Sequence, residues 1–253
     1  MQHEKCYMCE QKATSVEHVP PKCLFPEYKD TQRDLRLNLI TVPSCDDHNG
    51  KKSRDDEFLM VSLAGIIGNN SIGYQHYRGK IQRALKRTSY KLLEKVFLSR
   101  KLVKISDENK FINILYGTPD YDRLISCFKH IAYGIHLHYF KRDFKGEMKP
   151  YLDFLHTNEK NPKTFKAFLR EKVKTELINV PKHGQNQEVF YYQFTEPDDF
   201  GIFLAKFCFY QNVDVFVWPL NRNCNESIRN PQGSNEPEWE LFKTRLDSVE
   251  IIW

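Results

Sequence analysis

Cys6-Tyr7-Met8-Cys9 and, further along, Cys45-Asp46-Asp47-His48-Asn49-Gly50 decide how the first quarter of this chain folds. Each stretch holds two metal-binding side chains separated by two residues. That spacing lets both turn toward one ion from a tight knuckle, and two knuckles complete a tetrahedron. Cys6, Cys9, Cys45 and His48 therefore predict a closed Cys3His shell for one structural Zn²⁺. A small, charge-rich segment with few core residues also needs such a staple to fold. The chain has seven cysteines, an odd number that argues against a disulfide framework. Cys23, Cys127, Cys208 and Cys224 are read as packed or reduced thiols.

Between the knuckles lie Glu17-His18-Val19-Pro20-Pro21 and Asn38-Leu39-Ile40, and after them His48-Asn49-Gly50-Lys51-Lys52-Ser53. Phosphodiester hydrolysis needs a base that works near neutral pH, and histidine suits that task. It also needs a hard cation to stabilise charge developing on the phosphate. A carboxylate with an amide oxygen suits Mg²⁺, which keeps several waters and takes few protein ligands.

This combination resembles the HNH, or ββα-metal, endonuclease family over roughly residues 4–60. The resemblance implies that His18 is the general base, that Glu17 and Asn49 hold a catalytic Mg²⁺ or Mn²⁺, and that Asn38 orients His18. It implies cleavage leaving 5′-phosphate and 3′-hydroxyl ends. Many family members carry Asp where this chain has Glu17, and Cys where it has His48. Zinc is the reading for His48, because its spacing from Cys45 mirrors Cys6–Cys9; the alternative is that it reaches the catalytic ion. Lys52 and Arg54 stand where they could contact phosphate at a helix start.

The remaining chain is basic. Residues 1–60 hold 9 basic and 11 acidic groups, a net of −2, and the rest hold 29 and 22, a net of +7. Between Arg78 and Lys104 stand ten basic residues and one acid, Glu94. At 100° per residue Lys80, Arg83, Arg87, Lys91 and Lys95 share one helical face, beside an apolar stripe of Ile81, Leu85, Leu92 and Val96. The pattern predicts a cationic amphipathic helix, with Lys80, Arg83, Arg87 and Lys91 as phosphate contacts. Further on, Phe111–Tyr116 reads as a strand. Thr118-Pro119 offers a cap followed by proline at the first helical position. Leu124, Phe128, Ile131 and Ile135 continue that helix, and a second covers Lys163–Leu177. Glu188–Thr195, Gly201–Tyr210 and Val213–Trp218 read as strands, the last two joined at Gln211-Asn212. Their aromatic residues point to a sheet core covered by helices, rather than to a base-stacking platform. Asn221–Pro237 reads as a loop. His130, His136, His138 and His156 show no metal spacing and no acid partner.

The expected fold class is α+β. A zinc-stapled ββα-metal nuclease module covers 1–60, a basic helical segment 61–105 and a mixed α/β accessory domain 106–253. Across 253 residues the net charge is +5 and the pI about 8.7, short of the value of about 9 that flags nucleic-acid binders. A hydrophobic share of 40% with 13% aromatics excludes disordered and collagen-like chains. Phe58–Gly68 is the longest clean apolar stretch and is too short for a bilayer. Met1–Cys6 is polar with no apolar core after it, so a cytoplasmic protein is expected. The function expected is Mg²⁺-dependent cleavage or nicking of duplex DNA, in a prokaryotic defence or mobile-element setting. RNA stays open as a substrate, and the C-terminal domain is a place for a protein partner or a second copy. The alternative from another class is a non-catalytic zinc-knuckle module that grips nucleic acid or protein.

Overall fold

The computed structural model describes residues 5–50, 53–107, 110–157, 162–199, 201–220 and 249–252. The chain is a mixed α+β protein with several helices and three antiparallel sheets. The first sheet is the hairpin β1 (Ser15–His18) and β2 (Thr41–Ser44), registered Ser15↔Ser44 to His18↔Thr41. Between its strands come a 3₁₀ turn at Lys22–Leu24 and the short helix α1 (Tyr28–Thr31). After it come α2 (Asp46–Asn49) and α3 (Ser53–Ala64). The order is thus strand, strand, helix around the two knuckles.

The basic segment departs from the single helix predicted over Arg78–Lys104. Helix α4 (Ser71–His76) widens into a π turn at Tyr77–Ile81, continues as α5 (Gln82–Arg87), and breaks where Ser89 and Tyr90 take positive φ. Helix α6 (Lys91–Val96) then ends at a strand, β3 (Phe97–Asp107). The apolar stripe is nonetheless read correctly: Ile81, Leu85, Leu92 and Val96 are all buried. Strand β3 pairs with β4 (Lys110–Pro119), which contains the predicted Phe111–Tyr116. Pro119 closes that strand instead of opening a helix. The following helix, α7 (Tyr121–Phe140), is capped by Asp120, whose carboxylate accepts from the Arg123 backbone N–H at 3.1 Å.

The third sheet runs in the order β5 (Glu147–Leu152), β9 (Val213–Leu220), β8 (Ala205–Phe209), β7 (Phe190–Phe194). The second is completed by β6 (His156–Thr157) and β10 (Val249–Ile252), in the order β3-β4-β10-β6. Alternation along β9 explains how the third sheet is covered. Val213, Val215 and Val217 join the main core with α7. Phe216 and Trp218 face the other way and pack with Val173 and Leu177 of α8 (Pro162–Leu177). The aromatic strands are therefore a sheet core under helices, as expected. The turn between β8 and β9 sits one residue earlier than predicted, with Tyr210 and Gln211 as its positive-φ residues. The predicted loop Asn221–Pro237 lies outside the described residues.

One buried apolar cluster runs from Cys6 to Val217 through all three segments. Two contacts seat the zinc-knuckle region in it. A Cβ on Gly134 of α7 would lie 2.7 Å from Val19 Cγ1, so the chain leaving β1 rests directly on the α7 backbone. The fully buried Tyr210 donates its hydroxyl proton to the Leu24 carbonyl at 2.6 Å. Among the described residues no helix is long and apolar enough to cross a membrane.

Candidate metal centre and hairpin site

Cys6, Cys9, Cys45 and His48 converge, with their ligand atoms all within 4.8 Å of one another. Local backbone explains each knuckle. Met8 N–H points at Cys6 Sγ at 3.5 Å, while the N–H groups of His48 and Asn49 both return to the Cys45 carbonyl. The first knuckle is pinned to the hairpin through Tyr7 N–H to the Pro43 carbonyl at 2.9 Å and Thr14 N–H to the Ser44 carbonyl at 3.0 Å. Tetrahedral zinc with Zn–S of about 2.3 Å and Zn–N of about 2.0–2.1 Å sets S···S edges at about 3.8 Å and S···N edges at about 3.5 Å. The Cys9–Cys45 sulfurs are 3.8 Å apart, and His48 Nδ1 lies 3.5, 3.5 and 3.2 Å from Cys6, Cys9 and Cys45 Sγ. The four residues fit a metal ion of zinc's size and softness. Burial works against ionising the Cys45 thiol, but the His48 backbone and ring, with Cys6 and Cys9, more than reverse it and pull it down to about 7.

The hairpin sorts the predicted catalytic residues onto two faces. Ser15, Glu17, Val42 and Ser44 share the inner face, and Val16, His18, Thr41 and Pro43 the outer, because opposed residues of an antiparallel pair project the same way. Glu17 is only 6% exposed while Val16 is 63% exposed, the reverse of their hydrophobicity. Polar partners account for it. Tyr7 Oη donates to Glu17 Oε2 at 3.0 Å and Ser44 Oγ to the same oxygen at 3.4 Å. With its proton given to Glu17, the Tyr7 oxygen accepts from His130 Nδ1 at 3.3 Å. Burial, then the Glu17 charge, raise the Tyr7 hydroxyl far above its ordinary pKa.

Asn49 closes the same inner face, donating through Nδ2 to Ser15 Oγ at 2.9 Å. Asn49 is thus bound two strand positions from Glu17 on the same face, and His18 stands on the opposite face. Burial and then Lys22 hold the His18 imidazole below its ordinary pKa, against the pull of Glu17. Asn38 has a left-handed backbone at φ 51° and makes no hydrogen bond to His18 among the described residues. A carboxylate with an amide is the donor chemistry Mg²⁺ takes, yet two hydroxyls already occupy Glu17 Oε2. Among the described residues the zinc set is the one His/Cys/Asp/Glu group that converges.

The predicted phosphate contacts divide. Arg83 binds Asp30 at 2.6 and 2.9 Å and Glu27 at 3.3 Å, and Lys80 lies 3.9 Å from Glu27, so these two face acids of the 27–30 stretch. Arg87, Lys91 and Arg54 are exposed, and Lys52 lies outside the described residues. His130 was missed by sequence reasoning. It sits on α7 with its ring 5.8 Å from that of His48, and its partners come from more than eighty residues away, so no local pattern could signal it. Compared with known proteins, the chain matches no family model, no curated protein and no solved structure.

Proposed function

We propose that the chain is a divalent-metal-dependent endonuclease that hydrolyses phosphodiester bonds of DNA, with His18 taking the proton from the attacking water. The observation that carries this reading is His18, its imidazole held below its ordinary pKa by burial, on the outer face of a strand–strand–helix unit whose Cys and His side chains converge as a metal would need. A base must hold a free lone pair at working pH, and desolvation supplies that here. Cys6, Cys9, Cys45 and His48 would hold a structural zinc and supply all four of its donors, which would tie the knuckles to the hairpin. A second cation would supply Lewis acidity to the phosphate; Glu17 and Asn49, the residues that would hold it, stand on the face opposite His18. The Tyr7 and Ser44 hydroxyls donate to Glu17 Oε2, so such an ion would take the other carboxylate oxygen or displace them. Asn49 meanwhile holds the helix start against Ser15.

The second reading is a zinc-knuckle module that grips a partner without cutting. The burial of Glu17 and its two hydroxyl donors favour it. One assay separates the two: the zinc-loaded chain on supercoiled plasmid, linear duplex and RNA, with Mg²⁺, Mn²⁺ or chelator. Cleavage that requires added cation supports the endonuclease. Retention of zinc with no cleavage of any substrate supports the module.

A further inference from the structure

A groove of about 440 Å³ lies between the segment entering β2 and the loop over residues 182–187. Thr41 is one of its walls, and Thr41 stands opposite His18 in the hairpin register. Opposed residues share a face, so Thr41 joins the groove wall to His18, which does not itself line the groove. Its polar wall is made by Asn38, Thr41, His138, Lys182, Gln185 and Gln187, and no carboxylate of the described residues lines it. Lys182 also lines it, with its Nζ 4.6 Å from the centre of the Tyr191 ring, on the other side of β7 from the wall residue Tyr192.

The wall is built before any ligand arrives. His183 exchanges both backbone hydrogen bonds with Tyr192, at 2.9 and 3.0 Å. Its ring lies 5.1 Å from that of Tyr139 and stacks at 5.5 Å on that of Tyr192, and its Nε2 is buried with no hydrogen-bond partner among the described residues. Gly184 turns the loop at φ +127°, where a Cβ would meet the Phe190 carbonyl oxygen at 2.8 Å, so a side chain there is excluded. Asn186 Nδ2 donates to the Leu37 carbonyl at 3.2 Å, tying the loop to the residue before Asn38.

We propose that this groove holds the phosphodiester backbone of an unpaired nucleic-acid strand and leads it past His18. Amide and ammonium donors suit phosphate oxygens, and the absence of a carboxylate removes the main source of repulsion. The volume falls in the usual range of about 300–1,000 Å³ for ligand sites, enough for a nucleotide or two. The direction toward His18 rests on the endonuclease reading; the binding itself does not.

The test uses the full zinc-loaded chain carrying His18→Ala, so that no probe is cut. Fluorescence anisotropy follows a short labelled single-stranded DNA, the matching duplex and an RNA of the same sequence, over a range of salt. The single strand is expected to bind about tenfold tighter than the duplex. Lys182→Glu with Gln185→Glu is expected to weaken it by about tenfold or more and to lower the salt slope by about one. Lys172→Glu, a charge reversal on α8, is expected to leave it unchanged. The comparison of the two strands tells which nucleic acid the groove prefers. Unchanged affinity in the double variant, with zinc content and melting temperature preserved, would overturn the proposal, as would preference for duplex or no binding at all. Cleavage is scored separately on the wild-type chain. Groove-dependent binding without cleavage sinks the endonuclease reading and keeps the groove; cleavage with groove-independent binding does the reverse.

Discussion

The Tyr7 hydroxyl donates to Glu17 Oε2 at 3.0 Å on the buried face of the hairpin, so the Cys6–Cys9 knuckle and the first strand share a proton-donating contact. A buried carboxylate deprived of such a donor costs about 1–3 kcal/mol. Tyr7→Phe is therefore expected to lower stability by that amount in urea titrations. The same change in a Glu17→Gln background should cost less, because the charge-assisted part is gone. Equal costs in both backgrounds would show that the bond carries no charge-assisted contribution.

Zinc should be stoichiometric. Metal analysis of the purified chain is expected to find about one zinc per chain. Cys45→Ser should lose it and destabilise the hairpin, since Cys6 and Cys45 are themselves core residues. A chain that melts identically with and without strong chelator would refute the staple.

His18→Ala should reduce nicking of supercoiled DNA by about 10²–10⁴-fold in kcat. Its outer-face position predicts unchanged zinc content and circular dichroism. Undiminished nicking in a clean preparation would remove His18 as the base.

His76 is fully buried beside Tyr210, and neither ring nitrogen has a partner among the described residues. Burial, then Lys80 and Arg36, push it down to about 3, against Asp30 and Glu27. Unfolded histidine titrates at about 6.5, so below that pH the unfolded chain binds a proton that the folded chain refuses. Stability is thus lost as pH falls from about 6.5 toward 3. His76→Phe removes the group. The stability difference between variant and wild type should move in favour of the variant as pH falls through this window. Parallel pH curves would contradict the assignment.

Gly134→Ala places a methyl on Val19, where the ideal Cβ lies 2.7 Å from Cγ1. Overpacking of this kind costs about 1–3 kcal/mol. The expected result is a lower melting temperature, partly restored by Val19→Ala in the same chain. No rescue would mean that the two residues do not compete for that space.

The convergence of Cys6, Cys9, Cys45 and His48 was legible because its signal is local: two residues between members of a pair, twice. The buried stripe Ile81, Leu85, Leu92, Val96 was legible for the same reason. What failed depended on distant partners. Arg83 looked like a free cation because Asp30 and Glu27 lie more than fifty residues earlier. Residues 97–104 looked helical because their basic charges continued the run before them, and only pairing with β4 makes them a strand. In Ser15-Val16-Glu17-His18 the alternation is plain, yet nothing local says which face is buried. Tyr7, Ser44 and His130 decide it, and they put the carboxylate inside and the valine outside.

The contact between the Tyr210 hydroxyl and the Leu24 carbonyl has a practical consequence for dissection. Leu24 lies between the two zinc knuckles, and Tyr210 belongs to the turn joining β8 and β9. A fragment ending near residue 60 would keep the zinc ligands and His18 but strip the cover from Leu24 and Val19, both of which have no exposed surface in the intact chain. Such a fragment should expose apolar surface and self-associate even when loaded with zinc. The metal-binding head is thus not a portable cassette, and grafting it onto another protein would require bringing α7 and the β8–β9 turn with it.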